Sequence, residues 1–190
     1  MKIGCYFGSF NPIHTGHCII ANYLANNTDL QQVWLIVSPQ NPFKPAAGLL
    51  NEYHRLHLVQ TAIEGITALK ASNIEFHLPK PSYTIDTLTY LKEKFPQHEF
   101  AVILGSDGLQ NLQKWKNAAV LMADYEFYVY PRPGFPVPAN LPPQFHIVQA
   151  PMLDISATAI REMIRTGKDI RFLVPDIVKE EIETGAYYRN

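Results

Sequence analysis

Lys2-Ile3-Gly4-Cys5-Tyr6-Phe7-Gly8-Ser9-Phe10-Asn11-Pro12-Ile13-His14-Thr15-Gly16-His17 changes character twice in one short stretch. Residues 3–7 form a continuous apolar run, the pattern of a buried strand. Gly8, Ser9, Asn11 and Pro12 break the run, because glycine permits and proline imposes turn geometry. Ile19, Ile20, Tyr23 and Leu24 then recur at near-helical spacing, so a helix starts just beyond the turn. His14 and His17 therefore fall where a strand end hands over to a helix start. Such a start presents free backbone N–H groups and a partial positive charge, which suit phosphate. Three residues apart on a first turn, the two imidazoles can face the same way.

The 190 residues suffice for one substantial core, and 47% of them are apolar, which excludes a disordered chain. The net charge is -1, with Lys and Arg scattered, so neither nucleic acid nor an anionic membrane is an expected partner. An anionic ligand has to be held by a local site. Cys5 and Cys18 lie in apolar runs without a C-x-x-C pair, which argues against a metal site or a disulfide framework and fits a reducing compartment. Gly4, Gly8 and Asn11 interrupt any signal-peptide core, and no apolar run approaches bilayer length. A cytoplasmic protein is expected, and a homo-oligomer is compatible with this composition.

Residues 32–38 read as a second buried strand. With the intervening helix they make a βαβ unit, which favours parallel strands and a right-handed crossover. Residues 39–45 carry three prolines and form a loop at a strand's carboxyl end, where ligands collect in open α/β sheets. Lys44 there is a candidate phosphate contact. Residues 51–69 read as a helix with Leu56, Val59, Ala62 and Ile63 on one face and Arg55, His54 and His57 on a solvated one. Residues 73–78 alternate as a third strand. Residues 82–88 open a helix that Thr84 or Asp86 could cap. Residues 100–104 make a fourth strand, 109–122 a helix carrying Trp115, 126–130 a fifth strand and 146–148 a short sixth. Ser156 is suited to cap a helix reaching Gly167, and Arg161 one turn on completes a second anion site. Pro175 starts a last helix with Ile177, Val178 and Ile182 as its buried stripe.

Gly8, Ser9, Phe10, Asn11, Pro12, His14, Gly16 and His17 fill every fixed position of G-[ST]-F-[DN]-P-x-H-x-G-H, and the stretch resembles the start of the nucleotidyltransferase superfamily. The run S-Y-T-x-D-T-L at 82–88, G-[SAT]-D-x-L-x-x-L-x-x-W at 105–115, I-S-[SA]-T-x-x-R at 155–161 and the closing L-V-P resemble the nicotinate-mononucleotide adenylyltransferases. The resemblance covers essentially the whole chain. It implies a Rossmann-like α/β fold: a doubly wound parallel sheet in a single domain over 1–190, with a small helical part from about 152 to 190.

The resemblance also implies adenylyl transfer, from ATP to nicotinate mononucleotide, giving deamido-NAD and pyrophosphate. On that basis His14, His17 and Arg161 are the expected catalytic residues. Gly8, Ser9, Phe10, Gly105, Asp107, Ser156 and Thr158 join them around ATP. Ser9, Lys44, Thr84, Asp107, Trp115 and Arg132 are expected at the second substrate. Mg²⁺ is expected to ride on the ATP phosphates rather than in a protein cage. Three alternatives stand beside this reading: a phosphopantetheine acceptor, a nicotinamide mononucleotide acceptor, or a non-catalytic nucleotide-binding module on the same fold.

Overall fold

The computed structural model describes residues 1–40, 42 and 48–189. Lys44 lies outside the described residues. Six parallel strands form one sheet: β1 (Lys2–Gly8), β2 (Gln32–Val37), β3 (Leu69–Ser72), β4 (Glu99–Gly105), β5 (Phe127–Tyr130) and β6 (Phe145–Ile147). Their spatial order is β3-β2-β1-β4-β5-β6. The chain therefore builds outward from β1 in one direction, then returns and builds outward in the other. The reversal between β1 and β4 opens a crevice at the carboxyl edge, the place where doubly wound sheets bind ligands.

Helices α1 (Thr15–Asn27), α2 (Glu52–Ala62), α3 (Thr84–Lys94), α4 (Ser106–Gln110), α5 (Ala118–Asp124), α6 (Ala157–Arg165) and α7 (Asp176–Thr184) cover the sheet. Both faces of β2, β4 and β5 are buried, as inner parallel strands require. Along β2, Val33, Leu35 and Val37 pack with Leu24, Leu58, Ile160 and Val178 on one face. Trp34 and Ile36 pack with Leu88, Leu91, Leu121 and Phe127 on the other. Alternation of side chains along a strand assigns each residue to its layer.

Four expectations change. The strand expected at 73–78 is a 3₁₀ turn, Ile74–His77, and the third strand lies just before it. Asn73 C=O accepts from Phe76 N at 2.9 Å, so the alternating apolar residues follow a tight turn rather than a ladder. The helix expected to reach residue 69 stops at Ala62, and Gly65 takes φ +79, a left-handed geometry that a helix cannot continue through. The helix expected over 109–122 is broken into α4, a 3₁₀ turn (Leu112–Lys114) and α5, with Asn117 left-handed at φ 52. In α7, Val178 and Ile182 are buried but Ile177 is exposed, so the stripe is narrower than expected.

Candidate active site

β1 delivers the chain to the carboxyl edge at Gly8. A Cβ there would come within 2.9 Å of Phe10 Cζ, so only glycine lets the Phe10 ring fold back over the strand end. Phe10 itself is buried and sits at φ 44. His14 is the N-cap of α1. Its Nδ1 accepts from the His17 backbone N–H at 3.4 Å, and His17 Nδ1 accepts from the His14 backbone N–H at 3.3 Å. The reciprocal caps satisfy two orphan donors of the helix start. They also stack the two rings, with centroids 3.6 Å apart and planes at 21°.

The caps fix the tautomers. An Nδ1 that accepts a hydrogen bond carries no proton, so each neutral ring carries its N–H at Nε2. His14 is pushed down from 6.5 to about 4, first by burial and then by the positive charge of Arg132. At neutral pH it is an uncharged donor. The edge of Phe10 meets the His17 ring at 5.1 Å, which holds the second imidazole from the side.

Asn11 ties the turn to two distant elements. Its side chain donates to the Gly48 carbonyl at 3.0 Å and accepts from the Leu50 N–H at 3.1 Å. Its own carbonyl accepts from Arg161 Nη1 at 2.7 Å. Arg161 stands on α6, whose N-cap Ser156 accepts from Ala159 N at 3.1 Å. The Arg161 Nη2 also donates to Thr158 Oγ1 at 3.3 Å.

At the end of β4, Gly105 leads into Asp107 and α4. Asp107 pairs with Arg132 Nη1 at 3.3 Å, and the Arg132 backbone N–H donates to Ser106 Oγ at 2.8 Å. A Cβ on Gly105 would approach Arg132 Cδ to 2.7 Å, so this pair closes over a bare backbone. Thr84 opens α3, whose N-cap is Tyr83 with no side-chain cap bond. Neither Thr84 nor Asp86 caps as expected; Asp86 is drawn instead to Lys116. Trp115 follows the 3₁₀ turn in extended backbone rather than lying on a helix face.

One cavity of about 870 Å³ is lined by the expected residues of all these elements. Gly8, Ser9, Phe10, His14 and His17 line it from β1 and α1. Ser156, Thr158 and Arg161 line it from α6. Gly105, Asp107 and Arg132 line it from the ends of β4 and β5, Thr84 from the start of α3 and Trp115 from the segment before α5. Hydroxyls, imidazoles and a guanidinium group are contributed by the residues from α1, α6 and their caps, a donor set suited to anionic oxygens. Among the described residues, no three or more His, Cys, Asp or Glu could hold a metal ion.

Two buried charges escaped the sequence reading. Arg55, expected on a solvated face, is fully buried in α2. It donates to the backbone carbonyls of Ser9, Ser38, Pro39 and Leu50, and so braces the loops after β1 and β2. Its signal lay in the spacing: Leu58, Val59 and Ile63, three, four and eight residues on, are all buried. Glu75 is buried as well, and accepts from Ser82 Oγ at 2.6 Å and Thr87 Oγ1 at 2.8 Å. Burial raises its pKa above the ordinary carboxylate value, against the pull of those hydroxyls. No pattern in the sequence marks it.

Residues 5–163 match the cytidylyltransferase-like family. A probable nicotinate-nucleotide adenylyltransferase of Cytophaga hutchinsonii is 50% identical over 100% of both chains. Its counterpart in Flavobacterium psychrophilum is 48% identical, again over 100% of both. Among solved structures, Plasmodium falciparum nicotinic acid mononucleotide adenylyltransferase complexed with NaAD matches with a TM-score of 0.85 at 21% identity, covering 98% of this chain and 97% of that one. The same enzyme complexed with APC matches with a TM-score of 0.84 at 21% identity, over 98% and 96%. Among the described residues no helix is long and apolar enough to cross a membrane.

Proposed function

The chain belongs to the cytidylyltransferase-like family and, within it, to the nicotinate-nucleotide adenylyltransferases; from that membership we propose that it transfers AMP from ATP to nicotinate mononucleotide, giving deamido-NAD and pyrophosphate. A phosphate oxygen of the mononucleotide attacks the α-phosphorus of ATP. The new P–O bond forms as the bond from the α-phosphorus to the β-phosphate oxygen breaks, and pyrophosphate leaves with that electron pair. The attacking phosphate is already ionised near neutral pH, so no general base is needed.

The chain's work is to hold two anions in line and offset their repulsion. Two unit charges about 4 Å apart repel by roughly 4 kcal/mol at an effective dielectric near 20. Preorganised donors and positioning answer that cost in phosphoryl-type transfers. The Nε2–H groups of His14 and His17 donate to the ATP phosphates as charge builds at the α-phosphorus. Ser156, Thr158 and Arg161 hold the outer phosphates. Ser9, Asp107 and Arg132 stand between the two nucleotides, and Trp115 stacks on the pyridine ring beside Thr84. Mg²⁺ carried on the ATP phosphates would neutralise part of their charge; the donors near α1 and α6 complement phosphate oxygens rather than a cation.

One observation carries the proposal: the stacked imidazoles of α1 and the Arg161 guanidinium line the same cavity, joined through the backbone of Asn11. The test is pyrophosphate release from ATP with nicotinate mononucleotide, nicotinamide mononucleotide or phosphopantetheine as acceptor. Release with nicotinate mononucleotide is expected. Release confined to another acceptor overturns the acceptor assignment, and ATP binding without release makes the chain a nucleotide-binding module.

A further inference from the structure

Beside Thr84 and Trp115 in the cavity lining stands Lys116, half of an ion pair that adenylyl transfer leaves without a task. Lys116 Nζ lies 2.7 Å from Asp86 Oδ2 and 3.0 Å from Oδ1, and 4.9 Å from the centroid of the Tyr83 ring. Lys116 lines the cavity together with Tyr83, Thr84 and Trp115, whereas Asp86 does not. Lys116 thus belongs to the lining where the pyridine ring is proposed to stack, and Asp86, its ion-pair partner, lies outside that lining. Both groups are partly exposed, at 44% and 42%, so the pair is too weak to matter as a brace for the fold.

We propose that Lys116 is a specificity-determining residue, by which the site prefers a pyridine ring bearing a carboxylate over one bearing a carboxamide. The inference rests on the adenylyl-transfer reading and deepens it. A carboxylate substituent adds a negative charge at the ring end, and a carboxamide adds none. Asp86, in the first turn of α3, repels that charge; Lys116, which lines the cavity, offsets it. The aromatic face of Tyr83 supports the ammonium from one side, where a cation is attracted by the ring. Asp86 therefore has the opposite electrostatic sign to Lys116 within one and the same pair, and that difference makes the inference testable.

The experiment measures kcat/KM for nicotinate and nicotinamide mononucleotide at saturating ATP in the wild-type chain, Lys116→Met, Lys116→Arg and Asp86→Asn. In Lys116→Met the acid-over-amide ratio falls about fivefold, the scale of one partly exposed charge contact. In Lys116→Arg it returns to near the wild-type value. In Asp86→Asn it stays level or rises, because the ammonium loses its competitor. A ratio unchanged in Lys116→Met overturns the inference. So does an equal fall in Lys116→Met and Asp86→Asn, which marks a strap holding the two segments and not a charge reader. A wild-type chain that turns over neither acceptor overturns the adenylyl-transfer reading, and this inference with it.

Discussion

Arg161 Nη1 donates to the backbone carbonyl of Asn11 at 2.7 Å, joining residues 150 positions apart. The bond sets the position of α6 against the turn that carries both imidazoles. It also uses only one side of the guanidinium. The planar fork keeps its other donors at a fixed angle, one of them toward Thr158 Oγ1.

Arg161→Lys keeps the charge and loses the fork. A single ammonium cannot serve Asn11, Thr158 and a phosphate together. The expected result is a fall of about ten- to hundredfold in kcat/KM for ATP, with Tm within about 3 °C of wild type. Steady-state kinetics and a thermal melt check it. Kinetics close to wild type would take Arg161 out of the ATP site.

Trp115→Ala removes the flat face proposed to stack on the pyridine ring. Ring stacking adds about 0.5–1.5 kcal/mol beyond burial, a factor of roughly two to twelve. KM for the mononucleotide therefore rises by about that factor or more, and KM for ATP stays put. A variant in which both constants rise together would show that Trp115 supports the fold of the segment and not the ring.

The opening strand, turn and helix were legible because each is written locally: an apolar run, then turn formers, then helical spacing. The side chains of that motif meet Arg161 only through the topology, yet the helix that Ser156 caps and that carries Arg161 was legible too, since its start is one local pattern. Arg55 was not. Its charge outweighed its place on the buried stripe of α2, and its partners are backbone carbonyls, which leave no mark in a sequence. Glu75 was hidden for a similar reason, because Ser82 and Thr87 reach it only once the 3₁₀ turn replaces the expected strand. Trp115 lines the cavity but not from the expected helix, because α4 ends at Gln110 and Trp115 itself is extended after the 3₁₀ turn.

Arg55→Leu leaves the four carbonyls that the guanidinium held, those of Ser9, Ser38, Pro39 and Leu50, without that donor. Buried acceptors stripped of a charged partner are costly, and about 3 kcal/mol or more of stability is expected to go. Urea unfolding reads this as a lower midpoint at an unchanged slope. Arg55→Lys recovers only part of it, since one ammonium cannot span all four positions. A midpoint within error of wild type in Arg55→Leu would mean the loops are held by something else.

His17→Ala deletes one proposed donor to the phosphates along with one half of the reciprocal cap. Loss of a single preorganised donor lowers kcat by about two to three orders of magnitude. His17→Asn provides the control, because it restores a short polar side chain near the helix start without an imidazole N–H at the same reach. Single-turnover formation of deamido-NAD separates the chemical step from binding. Turnover near normal in both variants would remove His17 from the mechanism.

His14 makes the acid limb of stability predictable. In the unfolded chain its imidazole takes a proton near 6.5; in the fold it resists until about 4, because burial and the Arg132 charge disfavour the imidazolium. Between those two values the unfolded state binds more protons than the native state, so stability falls as pH drops. The contribution is fully present above about pH 6.5 and is lost progressively down to pH 4. A shift of that size corresponds to about 3 kcal/mol at most. His14→Asn retains an acceptor for the helix cap but has nothing to titrate there. Wild type should therefore lose up to about 3 kcal/mol more than His14→Asn between pH 7 and pH 4, and the two curves should run parallel above pH 7. Urea unfolding at a series of pH values measures both curves. If they stay parallel throughout, His14 is not held neutral by its surroundings, and its role as an uncharged Nε2–H donor at neutral pH loses its basis.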